Sequence, residues 1–275
     1  MPHSTDKITF NQTSLIAMVG PADSGKTYAS TSFGLQSKKY GGADSREALL
    51  LECDGRITAL RGRPVLFEAY TNEQGAAGIC DFLKSEVANA TRNQRSNYHT
   101  YIISSATSFG DFAVQDSFED TEASNKGKGI EVAGQKMLEM QDYNYEAESF
   151  RKLIWVYLTD LKKYANCIVE FHEVPLYIST PISPGSKIKK DEWDGYSYKL
   201  LLHGNKIASR LPTKFDEVYH FRAKEPLPST GGIRRMVCFQ DNVGRTAFPG
   251  LRRFGSKPQD ITNKEFYPFW QTSLE

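Results

Sequence analysis

A Gly-x-x-x-x-Gly-Lys-Thr motif at residues 20–27 constrains this chain more than any other feature of its sequence. It directly follows the apolar run Leu15–Val19, and a helix is predicted after it over residues 27 to about 39, ended by Gly41 and Gly42. Because the run is apolar on consecutive rather than alternate residues, it predicts a strand buried on both faces. A strand, a glycine-rich loop and a helix in this order are the context in which such a motif acts as a phosphate-binding (Walker A) loop.

Each part of the motif has an expected role in binding a nucleoside triphosphate. Gly20 opens the turn, and Gly25 lets the backbone approach phosphate oxygens where a Cβ would clash. The N–H groups of the loop and of the first helical turn present partial positive charge to an anion. Lys26 is expected to contact the β- and γ-phosphates, and the Thr27 hydroxyl to bind Mg²⁺. The expected nucleotide-binding residues are Gly20, Pro21, Ala22, Asp23, Ser24, Gly25, Lys26 and Thr27.

The composition is that of a globular protein without a general basic surface for nucleic acid. The chain has 275 residues, of which 39% are apolar and 24% charged, and its net charge is +1. The widely spaced cysteines indicate buried free thiols in a reducing compartment. Residues 1–12 are polar and do not resemble a signal peptide, and no apolar run approaches the ~20 residues that span a bilayer. We therefore expect a cytoplasmic protein without a membrane partner.

Strand-like and helix-like segments alternate along most of the chain. Strands are predicted over residues 46–54, 64–70, 99–105, 166–171 and 217–222. Helices are predicted from a capping box at Thr71 and Gln74 to about residue 90, and over residues 143–165. Residues 106 to about 142 are rich in Gly, Ser and acids and are predicted to form a long functional or mobile loop. Hairpins are predicted over residues 176–202 and 234–248.

These elements predict an α/β fold with a mostly parallel sheet flanked by helices. Residues 1–222 are expected to form the core, and residues 223–275 a β-rich C-terminal extension, with a β-hairpin, that packs on it. The aromatic cluster at residues 266–270 is expected to dock on the body of the core. A bound nucleotide would lie at the carboxyl ends of the strands.

The motifs after the loop follow a characteristic order. Glu52-Cys53-Asp54 ends one strand, residues 101–105 form another, Phe171-His172-Glu173 ends a third, and Gly204-Asn205-Lys206 precedes the strand that begins near residue 217. This order resembles that of the RecA-like P-loop ATPases that phages encode for homologous recombination and single-strand annealing. The resemblance implies an ATPase that uses ATP and Mg²⁺ and acts on single-stranded DNA in phage recombination, annealing or replication. It also implies a homo-oligomer, a ring or filament, in the host cell cytoplasm.

The resemblance assigns roles to several further residues. Besides Lys26, Asp54 takes the position of the acid that activates the attacking water, with Glu52 as the alternative, and His172 the position that senses the γ-phosphate. The strand that normally ends in Asp-Ser (Walker B) ends here in Ser104-Ser105. Ser104 therefore stands with Thr27 at the expected metal position, and Ser104→Asp is expected to raise Mg²⁺-dependent hydrolysis.

Because Ser104 replaces the expected aspartate, the sequence does not decide between several activities. Hydrolysis is slow, or another acid substitutes for the aspartate, with Asp54, Glu52 and Asp111 as candidates. One alternative function is a nucleotide-gated binding or assembly module with little turnover. Another is a P-loop small-molecule kinase, whose lid would be residues 106–142, although that stretch contains no arginine.

Two basic clusters are candidates for binding nucleic acid. Lys187, Lys189 and Lys190 lie close in sequence to Trp193, and cations beside aromatic rings suit single strands because rings stack on bases. The alternative is a solvated hairpin whose lysines protect an exposed edge. The second cluster consists of arginines, with the alternative that they reach the γ-phosphate of a neighbouring subunit. Its members are Arg234, Arg235, Arg245, Arg252 and Arg253.

Overall fold

One large sheet with helices on both faces forms the centre of the computed structural model, which describes residues 13–123, 131–132, 135–136, 140–176, 197–224, 235–240, 259–261 and 264–272. The strands of this part are β1 (Leu15–Val19), β2 (Ala48–Glu52), β3 (Leu66–Ala69), β4 (Thr100–Ser104), β5 (Glu131–Val132), β6 (Gln135–Lys136), β7 (Asn166–Phe171), β8 (Glu173–Leu176), β9 (Ser197–Leu200), β10 (Glu217–Lys224), β11 (Arg235–Gln240) and β12 (Gln259–Asp260). The α-helices are α1 (Lys26–Thr31), α2 (Gly75–Asn93), α3 (Ala106–Ala123), α4 (Met140–Phe150), α5 (Thr159–Leu161), α6 (Asn205–Arg210) and α7 (Phe266–Thr272).

Six parallel strands form the main part of the sheet, in the order β10-β1-β7-β4-β2-β3. Strand β11 continues the sheet beyond β10 by antiparallel pairing, and β12 in turn pairs antiparallel with β11. The mostly parallel sheet flanked by helices is therefore confirmed. Both of these added strands come from the region predicted to be the C-terminal extension, and they join the same sheet.

Strand β1 is buried on both faces, as the consecutive apolar residues predict. Leu15, Ala17 and Val19 contribute to the core beneath α2, α3 and the long helix from α4 to α5, whereas Ile16 and Met18 contribute to the core beneath α1 and α7. The hydrophobic effect thus holds β1 between two helical layers. This fixes the start of the motif loop at the carboxyl edge of the sheet.

The C-terminal aromatic cluster docks on the core, as predicted. Phe33 lies in a 3₁₀ segment, Ser32–Gln36, and its ring centroid is 6.3 Å from that of Phe266, 5.2 Å from Tyr267 and 5.0 Å from Trp270. These contacts cover the face of the sheet on which α1 packs. Helix α7 therefore supports the segment that follows the motif loop.

The helix after the motif is shorter than predicted. α1 ends at Thr31 and gives way to 3₁₀ turns at Ser32–Gln36 and Lys38–Tyr40. Hydroxyl side chains compete with the helical backbone here, because Thr31 Oγ1 donates to Thr27 O at 2.6 Å and Ser32 Oγ to Ala29 O at 2.5 Å. The prediction of a longer helix from the sequence pattern did not take these side-chain hydrogen bonds into account.

The prediction of a loop over residues 106–142 is wrong for the first half of that segment. Ala106–Ala123 is the helix α3, which begins where Ser105 Oγ accepts the N–H of Ser108 at 3.4 Å. Phe109, Phe112 and Ala113 are buried at helical spacing, a signal that the polar composition masked. α3 packs beside α2, and Asp116 accepts the N–H of Ala77 at the start of that helix, at 3.0 Å.

The other predicted elements are confirmed wholly or in part. The predicted strands are present, and the predicted helix over residues 143–165 corresponds to α4, a π-helical segment (Arg151–Leu158) and α5. The capping box is half formed, since Gln74 Oε1 accepts the Thr71 N–H at 3.1 Å but α2 begins only at Gly75.

The predicted hairpins are described only at their ends. β8 and β9 pair antiparallel, which confirms the base of the hairpin predicted over residues 176–202, while its tip lies outside the described residues. Of the hairpin predicted over residues 234–248 only β11 is described, and its described partners are β10 and β12. Cys53, Cys80 and Cys167 are buried free thiols. Within the described part of the chain, no helix combines the length and apolar character needed to cross a membrane.

Candidate active site

The motif loop leaves β1 between two neighbouring strands, and glycine is required where it does so. Gly20 N–H donates to the carbonyl of Phe171 on β7 at 3.2 Å, and a Cβ on Gly20 would lie 2.5 Å from the carbonyl oxygen of Phe221 on β10. Gly25, just before α1, has φ +92°, a left-handed conformation that favours glycine. The loop conformation thus depends on both glycines of the motif.

A cavity of about 260 Å³ opens beside this loop, at the carboxyl ends of the parallel strands. Loop and helix residues 23–28 line one side. The ends of β2, β4 and β7 contribute Glu52, Asp54, Ser104, Glu170 and His172. The chain proceeds from β1 across the sheet to β2 and β3 and later returns to β10 on the other side of β1, so the cavity lies where open α/β sheets bind ligands. Its volume is just below the ~300–1,000 Å³ of sites for whole small molecules, which suits the phosphate part of a nucleotide.

Lys26 lies at the centre of the loop. Its side chain is buried, and Nζ donates to the carbonyls of Gly20 at 2.9 Å and Pro21 at 2.8 Å. The same atom is 3.5 Å from Nδ1 of His172. Burial lowers the pKa of Lys26, and nearby carboxylates oppose this shift. The ammonium is therefore held beside the cavity by groups that an entering anion can replace.

Glu170 is the acid that accompanies the motif threonine, and sequence reasoning missed it. Its Oε2 accepts from Thr27 Oγ1 at 2.7 Å and from Ser104 Oγ at 3.1 Å, and its Oε1 accepts from Ser30 Oγ at 2.5 Å. Burial raises the pKa of Glu170, while the hydrogen bonds and the charge of Lys26 act against this. The available signal was a single acid within the otherwise apolar stretch CIVEF of β7.

Asp54 and His172 form a second polar group in the same cavity. Asp54 Oδ1 accepts from the hydroxyls of Ser105 at 2.8 Å and Ser108 at 2.6 Å, and Oδ2 is 3.7 Å from Nε2 of His172. Although burial acts in the other direction, hydrogen bonds from His172, Ser108 and Ser105 lower the pKa of Asp54 well below its usual range. Asp54 is therefore an ionised carboxylate, held in place and linked through His172 to Lys26.

The two remaining candidate acids have other partners. Glu52 lines the cavity, but its carboxylate accepts the backbone N–H groups of Asp54 at 3.0 Å, Gly55 at 3.0 Å and Arg56 at 2.9 Å. It therefore organises the turn that carries Asp54. Asp111 lies on α3 and contacts Nε2 of His203 at 2.7 Å, and it is not among the residues that line the cavity.

The residues present fit a magnesium ion and a phosphate chain. Thr27 and Ser104 supply hydroxyl oxygens, 3.5 Å apart, and Glu170 a carboxylate, the ligand types that Mg²⁺ prefers. The described residues include no group of three His, Cys, Asp or Glu that could hold a metal by themselves, so phosphate oxygens and water would complete its coordination. Among the described residues, the buried Ser24 Oγ, at the wall of the cavity, has no hydrogen-bond partner, and a phosphate oxygen can satisfy it.

The residues predicted to bind nucleic acid are not brought to this cavity by any described contact. Lys187, Lys189, Lys190, Trp193 and Arg234 lie outside the described residues. Arg235 begins β11, next to β10, and nothing is described of its side chain. Nucleic-acid binding by these residues stays a prediction from the sequence.

No protein-family model matches this chain, and a comparison with curated proteins gives no match. The class of the protein is therefore defined by its fold and its site alone. It is an α/β protein with a six-stranded parallel sheet flanked by helices, whose Gly-x-x-x-x-Gly-Lys-Thr loop borders a polar cavity at the carboxyl edge of that sheet.

Proposed function

We propose that this chain is a RecA-like P-loop ATPase that binds Mg²⁺-ATP and hydrolyses it slowly. The observation that carries the proposal is the convergence of Lys26, Thr27 and Glu170 with Asp54 and His172 on one cavity at the carboxyl edge of the sheet. The first three residues are a cation, a hydroxyl and a carboxylate suited to a metal–phosphate complex. The other two are suited to placing water beside it.

The binding residues act through charge and hydrogen bonds. Lys26 exchanges the loop carbonyls for phosphate oxygens and compensates their charge. Thr27, Glu170 and Ser104 would hold Mg²⁺, and the metal would neutralise charge on the phosphates. The loop N–H groups and the Ser24 hydroxyl bind the remaining phosphate oxygens.

Asp54 is the residue best placed to orient the attacking water. Both oxygens of Glu52 are engaged by backbone N–H groups, and Glu170 lies against Thr27. The lowered pKa of Asp54 makes it a weak base, so it positions water more than it removes a proton. His172, between Lys26 and Asp54, couples the phosphate contact to the position of this carboxylate. A weak base is the physical reason to expect slow turnover.

We further propose that the protein acts on single-stranded DNA in phage recombination, annealing or replication, as a ring or filament in the host cytoplasm. Support comes from the order of motifs and from the lysines and tryptophan of residues 187–193. Phosphate contacts by Lys187, Lys189 and Lys190 require that the affinity for an oligonucleotide fall steeply with salt, by a slope of about −0.7 per phosphate. Replacing these lysines should flatten the slope and leave ATP binding intact. If fluorescence anisotropy detects no binding at low salt with or without ATP, the DNA proposal is wrong.

Two other activities remain candidates for the same site. A nucleotide-gated assembly module would bind ATP but show almost no turnover, with or without single-stranded DNA. A small-molecule kinase would transfer phosphate only when an acceptor is added. ATP turnover measured alone and with single-stranded DNA separates these activities from the proposed ATPase.

The central experiment is the substitution Lys26→Ala, with Lys38→Ala as the matched control. Lys38 is an exposed lysine on the 3₁₀ turn after α1 and does not line the cavity. Binding of a fluorescent ATP analogue is measured with Mg²⁺, and GTP is used as a competitor. Lys26→Ala should lose binding while its circular dichroism stays unchanged, whereas Lys38→Ala should bind normally. Unchanged affinity and turnover in Lys26→Ala would overturn the proposal.

A further inference from the structure

Arg56 places a second cation in the wall of the cavity that contains Lys26. It lies in the connection after β2 and lines the cavity together with Asp54. The side chain is exposed, and within the described part of the chain its guanidinium has no hydrogen bond and no ion pair. Arg63, in the same connection, differs, since its guanidinium binds the carboxylate of Glu265 at 3.0 and 2.8 Å. Arg56 therefore has the freedom to bind a ligand that Arg63 lacks.

The backbone at Arg56 is held firmly although its side chain is free. The buried carboxylate of Glu52 accepts the N–H of Arg56 at 2.9 Å and those of the two preceding residues. Gly55, with φ +69°, makes the turn that this arrangement needs. Arg56 thus projects from a fixed turn, and ordering its side chain on a ligand costs only the entropy of that side chain.

The position of β2 in the sheet decides which part of a ligand Arg56 can reach. Strands β7 and β4 lie between β1 and β2, so the turn with Arg56 faces the motif loop across about 14 Å of sheet. The motif loop, Lys26 and Arg56 line the same cavity, so a phosphate chain bound by the loop N–H groups would enter the space that Arg56 borders.

We propose that Arg56 binds the terminal phosphate of the nucleoside triphosphate from within the same chain, and that this contact distinguishes a triphosphate from a diphosphate. The inference rests on the proposed function. The planar guanidinium can donate two parallel hydrogen bonds to one phosphate, and a lysine cannot reproduce this fork. A contact of this kind responds to loss of the γ-phosphate without a second subunit. In that case Asp54, two residues earlier on the same turn, is held near the phosphate that is attacked.

The test compares Arg56→Ala and Arg56→Lys with Arg61→Ala, an exposed arginine of the same connection that does not line the cavity. Affinities for a non-hydrolysable ATP analogue and for ADP, both with Mg²⁺, are measured by calorimetry on the full chain. Arg56→Ala should lose about 10- to 100-fold in affinity for the triphosphate and less than about twofold for ADP. Arg56→Lys should fall between wild type and Arg56→Ala, and Arg61→Ala should match wild type.

The outcomes separate this inference from the proposed function. If wild type binds both nucleotides through Lys26 and Arg56→Ala loses affinity for both equally, or for neither, the inference about Arg56 is wrong and the proposed function stands. If wild type binds neither nucleotide, both are wrong. Thermal unfolding of each variant shows whether the fold is retained, and Arg56→Lys provides a second, milder variant should Arg56→Ala unfold.

Discussion

Glu170 Oε2 accepts a hydrogen bond of 2.7 Å from the hydroxyl of Thr27, although 143 residues separate the two in the chain. Thr27 is the residue of the motif that is expected to bind Mg²⁺, so the carboxylate beside it comes from β7 and not from the end of β4. Ser104, at the end of β4, donates to the same oxygen at 3.1 Å. Under the proposed function, Glu170 supplies the charge that an aspartate at position 104 was expected to supply.

Glu170→Gln should remove the dependence of ATP affinity on Mg²⁺ while preserving the fold. Glutamine keeps the shape and can accept from Thr27, but it lacks the charge that attracts the metal. Affinity for ATP at saturating Mg²⁺ should fall about tenfold, and affinity in EDTA should hardly change. The measurement is displacement of a fluorescent nucleotide over a Mg²⁺ series. The control is Glu148→Gln on the exposed side of α4. An unaltered Mg²⁺ dependence would exclude Glu170 from the metal site.

Ser104→Asp should destabilise the protein rather than raise hydrolysis, contrary to the expectation from sequence. The new carboxylate would lie in a buried position beside Glu170, and two like charges there cannot both ionise without cost. The free energy of unfolding should fall by about 3 kcal/mol, as measured by urea denaturation. The double variant Ser104→Asp, Glu170→Ser moves the acid to the position expected from sequence and should recover stability and Mg²⁺-dependent binding. Faster turnover in Ser104→Asp alone would favour the original expectation.

Asp54→Asn should lower ATP turnover by about 100-fold and leave nucleotide affinity within about twofold. The amide keeps part of the hydrogen bonding to Ser105 and Ser108 but cannot orient and polarise water as a carboxylate does. Asp111→Asn is the matched control, because Asp111 contacts His203 outside the cavity and turnover should not change. Phosphate release and nucleotide binding are measured on the same samples. Equal turnover in Asp54→Asn and wild type would leave Asp54 without a catalytic role.

Because of His99, the free energy of unfolding should be lower at pH 5 than at pH 7. Burial lowers the pKa of His99 from 6.5 to about 4, so the folded state keeps it neutral while the unfolded chain takes up a proton. The contribution of neutral His99 to the free energy of unfolding is complete above pH 6.5 and is lost as the pH falls toward 4. This corresponds to a decrease of about 2 kcal/mol between pH 7 and pH 5. The neighbouring Asp44 does not titrate in this range: although burial acts in the other direction, hydrogen bonds from Arg46 lower its pKa to about 2.

The pH effect is isolated by comparing wild type with His99→Gln in urea unfolding at pH 7, 6 and 5. Burial raises the pKa of Glu170 and of Glu146, and these groups change stability in the opposite direction. Because they are present in both proteins, the difference between the two curves reports His99. Parallel curves would mean that His99 is as readily protonated in the folded state as in the unfolded chain.

Much of the fold could be predicted from the sequence, and so could the motif loop that lines one side of the cavity. β1 is a continuous apolar run and β7 is mostly apolar, because both strands are buried on both faces, and the helix over α4 and α5 has clear helical periodicity. The motif residues are contiguous, so one local pattern determines them. Asp54 and His172 could be found because each directly follows a strand of a parallel sheet, and such strand ends meet at one edge.

Helix α3 could not be recognised by composition, because its polar residues outnumber the buried Phe109, Phe112 and Ala113 that hold it against the core. Its prediction as a loop shows how tertiary packing can stabilise a segment with a weak local signal. The same helix places Ser108 against Asp54, which supports the position of that carboxylate.

By itself, the sequence determined the Gly-x-x-x-x-Gly-Lys-Thr loop, the alternation of strands and helices, and the acid and histidine at two strand ends, since each of these is a local pattern. Only the tertiary structure decided that Glu170 lies beside Thr27 and Ser104 and that Arg56 shares a cavity with Lys26. Those contacts depend on β7 lying between β1 and β4, and on a register that pairs Ile103 with Val169 and so brings Ser104 level with Glu170. Strand order and register result from packing the whole sheet between two helical layers, and no single stretch of the chain encodes them.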